Sequence, residues 1–285
     1  MSASFAPGAV EALAAAYPER PARLSHGLAG HRLLRLGALE TLATRMRPED
    51  VLCFRGDVPV GVGPQGAPRS DLPVAETLRA IERCGSWMVL KSVEQDPDYR
   101  RLLHDLLAEL ETVVRPATGP MLRREAFIFV SSPKAVTPFH FDPEHNVLLH
   151  LEGEKLITVF PVGDAEIAPG EAHEQFHLNG QYNLPWCDEF EAKGTGFALR
   201  PGDALYVPVK APHWVRNGDA PAISLSITWR SGWSWREQQA HGLNRLLRRA
   251  GLNPAPPARY PGQNYAKSLA FRLVDKTERL LKDSF

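Results

Sequence analysis

Two short stretches carry the residues that could do chemistry. The first is Thr137-Pro-Phe-His140-Phe-Asp142-Pro-Glu-His-Asn146, with Lys155 beyond it; the second is Gly202-Asp-Ala-Leu-Tyr-Val-Pro208, then His213. His140 and Asp142 stand two positions apart. On a strand, residues i and i+2 point to the same face. One strand so presents an imidazole and a carboxylate side by side, while Phe139 and Phe141 point the other way into packing. His213 completes a set of two imidazoles and one carboxylate. Such a facial triad suits Fe(II) and leaves positions for a cosubstrate and O2. Zinc hydrolytic sites use the same donors with a bound water, so the triad alone leaves the metal open.

Lys155 and Thr137 tip the balance. Lys155 lies in Leu151-Glu-Gly-Glu-Lys-Leu-Ile-Thr-Val-Phe160, which reads as a hairpin: strands over 146–151 and 155–160 around Glu152-Gly153-Glu154. Parity puts Lys155, Ile157 and Val159 on one face. An amine among apolar side chains needs an anionic partner, because burying an unpaired charge is costly. The carboxylate of a bound diacid supplies one, with the Thr137 hydroxyl beside it. The reading is an iron site that also holds a small dicarboxylic acid.

The pattern T-P-x-H-x-D-x3-N-x8-K, then G-D-x-L-Y-x-P-x4-H, resembles the JmjC (cupin-like) oxygenases over about residues 121–232, and in particular asparaginyl hydroxylases of the factor-inhibiting-HIF type. The resemblance implies a double-stranded β-helix, or jelly roll, that binds Fe(II) and uses 2-oxoglutarate and O2. Carried over by motif, His140, Asp142 and His213 bind iron and form the catalytic centre. Thr137 and Lys155 bind the distal carboxylate of 2-oxoglutarate, Asn146 lies near its metal-bound end, and Phe127 and Phe129 line its pocket. The implied activity is hydroxylation of a C–H bond, on a protein or peptide side chain, with release of succinate and CO2. Demethylation is a related outcome where the hydroxylated carbon sits on nitrogen. Two places depart from the pattern: Lys210-Ala-Pro precedes His213 where an aromatic pair is expected, and Ser226 or Thr228 stands where those hydroxylases offer an Asn.

The rest of the chain must position these groups. From about 120 the hydrophobic period is two: Phe127 and Phe129 alternate with Ile128 and Val130. Residues 197–200, 205–207, 213–215 and 223–229 read as further strands, and 161–196 as a long irregular insert. Short strands among 25 Pro and 22 Gly suit a barrel. Before 120, helical spacing appears at 8–16, 37–47, 72–83 and, over about four turns, from Tyr99 to Val113; Val51–Phe54 and Trp87–Leu90 read as strands. After 232 the character returns to helix, over 233–250 and over 264–282 with Leu269, Leu273, Leu280 and Leu281. The expected organisation is an N-terminal α/β portion (1–120), a catalytic barrel (121–232) and a C-terminal helical segment (233–285), mainly β with flanking helices. Related hydroxylases dimerise through such terminal helices, so a homodimer is expected.

Other features read as scaffold. Formal net charge is zero, which argues against a global pull towards nucleic acid or membrane. Cys53, Cys84 and Cys187 show no metal spacing and suit a reducing, cytoplasmic setting. No basic leader or long apolar run is seen, so neither a signal peptide nor a membrane span is expected. The Gly/Pro-rich stretch 56–73 lacks the ending of a phosphate loop. Trp233 and Trp235 beside Arg236, Arg245, Arg248 and Arg249 read as core aromatics with a solvated basic face. His145 and His150 are near the site but off the motif, His150 sharing a face with Asn146 and Leu148. His173-Glu-Gln-Phe-His177 matches the H-E-x-x-H protease signature. With Pro169-Gly170 before it and Gly180 after it, a loop covering the pocket is the expectation. Two other classes remain as rivals: a cupin holding zinc or nickel for hydrolysis or isomerisation, and a non-catalytic metabolite sensor.

Overall fold

The computed structural model describes residues 3–63, 65–180 and 182–282, the side chains of 179 and 278–282 excepted, so Leu280 and Leu281 lie outside the described residues. In chain order the elements are α1 (Ala9–Ala16), β1 (Ala22–Ser25), α2 (Leu36–Arg45), β2 (Val51–Arg55), α3 (Val74–Arg79), β3 (Ser86–Leu90) and α4 (Pro97–Thr118). Then come β4 (Leu122–Ser131), β5 (Val136–His140), β6 (His145–Glu152), β7 (Lys155–Val159), α5 (Gly170–Asn179), β8 (Thr195–Leu199), β9 (Asp203–Val207), β10 (His213–Asn217), β11 (Ala222–Arg230), α6 (Gly232–Arg249) and α7 (Tyr265–Lys282). The strands form two antiparallel sheets, seven strands in the order β1-β9-β6-β11-β4-β3-β2 and four in the order β5-β10-β7-β8. From β4 onward the chain passes back and forth between the sheets, giving the jelly roll expected.

Period-two alternation decides which side chains meet. Along β11, Ile223, Leu225, Ile227 and Trp229 point outward into a core with α1, α2 and α4. Ser224, Ser226 and Thr228 point inward between the sheets. The helix α4 earns its place by a stripe of Tyr99, Leu103, Leu106, Leu107, Leu110 and Val114, all buried. Asp96 caps it, accepting from the Asp98 N–H, and Pro97 occupies its first turn. Each such buried Leu contributes roughly 1.5–3 kcal/mol of transfer free energy. The inner face holds a smaller cluster of Leu148, Ile157, Val159, Leu205, Val207 and Val215. The outer face of the small sheet is closed by Phe139, Phe141, Phe160, Ile167 and Trp214, so the two phenylalanines of the motif do point into packing.

Four expectations need correction. Strands β6 and β7 are not a hairpin: β6 pairs with β9 and β11, and β7 with β8 and β10. The turn at Gly153 (φ 77) carries the chain from one sheet to the other. The helix expected over 72–83 stops at Arg79, and Gly85 (φ 58) swings the chain into β3. The edge strand β1, too short to show a period, was not foreseen. The segment 173–177 is helical, as described below. Among the described residues no helix is long and apolar enough to cross a membrane.

Candidate metal centre

His140 and His213 face each other across the β5–β10 pair, with ring centroids 4.2 Å apart. Each ring is locked by its own backbone. His140 Nδ1 donates to the Pro138 carbonyl at 2.7 Å and His213 Nδ1 to the Ala211 carbonyl at 2.9 Å. A carbonyl only accepts, so both protons sit on Nδ1 and both Nε2 lone pairs are free. They converge on Asp142 Oδ2, at 3.9 Å and 3.7 Å. These separations are ones that an ion about 2.1 Å from each donor can span. Among the described residues, this is the one His/Cys/Asp/Glu group with donor atoms close enough to hold a metal. Burial pushes both imidazoles down to about 4, so they stand neutral, and raises the Asp142 carboxyl. Two neutral imidazoles and a carboxyl awaiting a cation fit a divalent metal.

Thr137 reaches the same interior although its parity with His140 is wrong. The register supplies the reason: Thr137 pairs with Val215 and His140 with His213, so the motif strand carries one extra residue across from β10. This bulge turns Thr137 and His140 to one side. Both line a cavity of about 240 Å³ together with Asp142, Asn146, Phe127, Phe129, Ser226 and Thr228. Asn146 Oδ1, Ser226 Oγ and the Nε1 of Trp87, which also lines it, are buried without a hydrogen-bond partner among the described residues. Orphaned acceptors and hydroxyls on a cavity wall fit a polar ligand.

Lys155 is buried, its face-mates Ile157 and Val159 with it. It does not line the cavity. The inner rows run Thr228–Asn146, Ser226–Leu148, then Ser224–His150. Lys155 Nζ donates to Ser224 Oγ at 2.8 Å, one row beyond the cavity lining. Burial lowers its pKa to about 7.

Several contributors carried no sequence signal of their own. Tyr182, Glu144, Trp87 and Phe54 also line the cavity. Burial, with the Asp142 charge second, raises Glu144 to about 7, and Arg230 lies 3.7 Å away. Lys210, where an aromatic was expected, is buried and paired with Glu237 of α6 at 2.7 Å, while its backbone N–H donates to the Asp142 carbonyl at 2.8 Å. The apolar neighbours Val209 and Ala211 were the available hint that Lys210 turns inward. His145 faces away from the cavity, bonded to Tyr206 Oη and Ser231 Oγ in the outer core.

The loop expected at His173–His177 is instead the helix α5, begun after Pro169 and closed by Gly180 at φ 76. One turn of helix puts both imidazoles on the face that meets Phe141 and His241, with centroids 4.7 Å (Phe141–His173) and 4.9 Å (His173–His241) apart. Glu174 is held by Arg248 at 3.1 Å. The segment after α5 does cover the site: the Phe141 N–H donates to the Tyr182 carbonyl, and the Leu184 N–H to that of Phe139.

Residues 119–237 match the sequence profile of the JmjC domain. Jumonji C domain-containing protein 5 of Drosophila melanogaster is 31% identical over 100 residues, 33% of this chain and 25% of that protein. The tRNA wybutosine-synthesizing protein 5 of Mus musculus is 26% identical over 152 residues, 50% of this chain and 46% of that protein. The chain so spans between a quarter and about half of these curated relatives. The solved structure of E. coli ycfD superposes with a TM-score of 0.53, over 92% of this chain and 66% of that one, at 16% identity, a likeness of fold. That profile spans every one of the converging donors, so residues 119–237 of this chain are similar to a JmjC domain in sequence and to ycfD in fold.

Proposed function

We propose that this chain is an Fe(II)- and 2-oxoglutarate-dependent oxygenase that hydroxylates a C–H bond, most simply on a protein or peptide side chain. One juxtaposition carries the reading: a convergent set of His140, Asp142 and His213 in the same barrel interior as a buried ammonium that has no anionic partner among the described residues. In this reading His140, Asp142 and His213 hold the iron, which when bound supplies O2 activation coupled to decarboxylation of the keto acid to succinate and CO2. The chain's own residues do the rest. Asn146 and the Ser226 hydroxyl offer unsatisfied polar atoms to the cosubstrate, and Thr137 and Lys155 take its distal carboxylate. Phe127 and Phe129 wall the cavity and exclude water. Phe54, Trp87, Tyr182 and Glu144 border the space left for an extended substrate side chain. Hydroxylation on carbon and demethylation through an N-bound carbon are both within this chemistry.

The test is succinate release by anaerobically purified protein given Fe(II), 2-oxoglutarate and O2, with His140→Ala and Lys155→Ala as controls. A zinc or nickel hydrolase keeps its activity in Lys155→Ala; a sensor binds the diacid without consuming O2. Either result ends the oxygenase reading. A homodimer through the C-terminal helices belongs to the same proposal, supported by the exposed Tyr265, Leu269 and Leu273 along α7. So does a cytoplasmic setting, supported by three free cysteines.

A further inference from the structure

We infer that His150, acting through Ser224, is the positioning residue of the diacid clamp: it fixes the Ser224 hydroxyl so that Lys155 presents its amine at one set place. The inference rests on the oxygenase reading above. His150 is wholly buried on β6, one row beyond the cavity. Its Nε2 lies 3.0 Å from the Gly153 carbonyl, so Nε2 carries the proton. Its Nδ1 keeps a lone pair and lies 3.0 Å from Ser224 Oγ, so the hydroxyl donates to it. The lone pairs of that hydroxyl then face Lys155 Nζ, 2.8 Å away, and accept from it. One carbonyl thus sets the direction of every bond in the row.

That carbonyl is itself fixed. Gly153 has φ 77, and a Cβ there would come 2.3 Å from the Pro221 carbonyl oxygen. The His150 carbonyl is also held, accepting from the Gly202 N–H at 3.0 Å. Without His150 the Ser224 hydroxyl is free to turn its hydrogen towards Lys155, which has nothing to accept it. With His150, one N–H of the ammonium is engaged and two remain for a carboxylate. Burial lowers His150 to about 4 and keeps it neutral, as its acceptor role requires. His26 and Asp203 are the other ionising groups that act on His150, and Glu154, Arg200 and Arg216 line a second cavity that Lys155 borders. Strands β8, β10 and β11 set Leu199, Asn217 and Ser224 beside Lys155, and none of these ionises.

The test loads the full chain with redox-silent Mn(II) and titrates 2-oxoglutarate calorimetrically from pH 6 to 9. It compares wild type with His150→Leu, Ser224→Ala, the double variant, His150→Gln and Lys155→Ala. Loss of one hydrogen bond to a charged group predicts binding about tenfold weaker in each of the first two. The double variant is expected to be no weaker than either single. The pH above which affinity falls is expected to drop by about one unit in both, because the ammonium has lost its acceptor. His150→Gln, which keeps a donor and an acceptor, stays near wild type. Wild-type binding by His150→Leu, or losses that add in full, overturns the inference. Should His150→Leu fail to fold, an unshifted pH profile in Ser224→Ala overturns it equally. No binding by wild type, or wild-type binding by Lys155→Ala, sinks the oxygenase reading itself, a distinct outcome.

Discussion

Lys155 donates to one neutral hydroxyl and sits between two sheets without a counter-ion among the described residues. Such a group destabilises the fold it is buried in, which is why burial depresses it to about 7. Replacing it with an apolar side chain of similar length should remove that penalty. Lys155→Met is expected to unfold at higher urea, by about 1–3 kcal/mol, while losing 2-oxoglutarate binding. The sign with pH follows from the depressed value. Between about 7 and the unfolded value near 10.4 the unfolded chain holds a proton that the folded chain has lost, so wild-type stability rises with pH there. The advantage of Lys155→Met is therefore largest below pH 7 and fades towards pH 10. Ligand binding runs the other way: a carboxylate raises the Lys155 pKa, so binding takes up a proton above pH 7. The dissociation constant should be flat below pH 7 and rise above it, by up to about one decade per unit. Calorimetry in buffers of different ionisation enthalpy would read that proton directly.

At the scale of elements, two devices hold the site. The bulge in β5 brings Thr137 and His140 to one side, and the Gly153 turn sends Lys155 into the opposite sheet. Gly153→Ala meets both a left-handed backbone and a carbonyl 2.3 Å from the new Cβ. It is expected to lower stability by at least about 1 kcal/mol in urea unfolding and to weaken the Lys155 row with it. The contact of α5 with α6 should be acid-labile. Burial lowers His173 and His177 well below their usual value and His241 to about 4. These groups stabilise the fold fully above the unfolded value of about 6.5, and that stability is lost as pH falls towards 4. Amide exchange in α5 should quicken from pH 7 to 5 relative to α4, and less so in His241→Leu. Periodicity made α4 and β11 legible, because each has one apolar side. It could not make α5 legible, since its mixed face is explained by His241 and Phe141, far away in sequence.

For the whole molecule, α7 packs on α6 through Phe271 against Gly242 and Ser268 against Gln239, leaving Tyr265, Leu269 and Leu273 one turn apart and exposed. If this stripe is covered by a second copy, Leu269→Glu with Leu273→Glu should move the sedimentation mass from two chains to one. A wild-type mass of one chain ends the dimer proposal. The N-terminal third is woven into the same body: β1, β2 and β3 extend the large sheet at both ends, and α1, α2 and α4 share its outer core.

The donors and their partners were written in the chain itself. The i, i+2 spacing of His140 and Asp142, and an amine set among Ile157 and Val159, are legible from a period of two and from the cost of burying charge, both local properties, although the expected shared strand ends at His140 and Asp142 lies just beyond it. Tertiary structure decided what locality does not reach. Whether β6 and β7 pair with each other or part between sheets depends on strands distant in the sequence. The bulge that turns Thr137 inward exists only against β10. The hydrogen-bond row from Gly153 to Lys155 depends on Ser224, brought alongside by pairing of β11 with β6, because a side chain's direction is fixed by sequence parity but its neighbour is fixed by register.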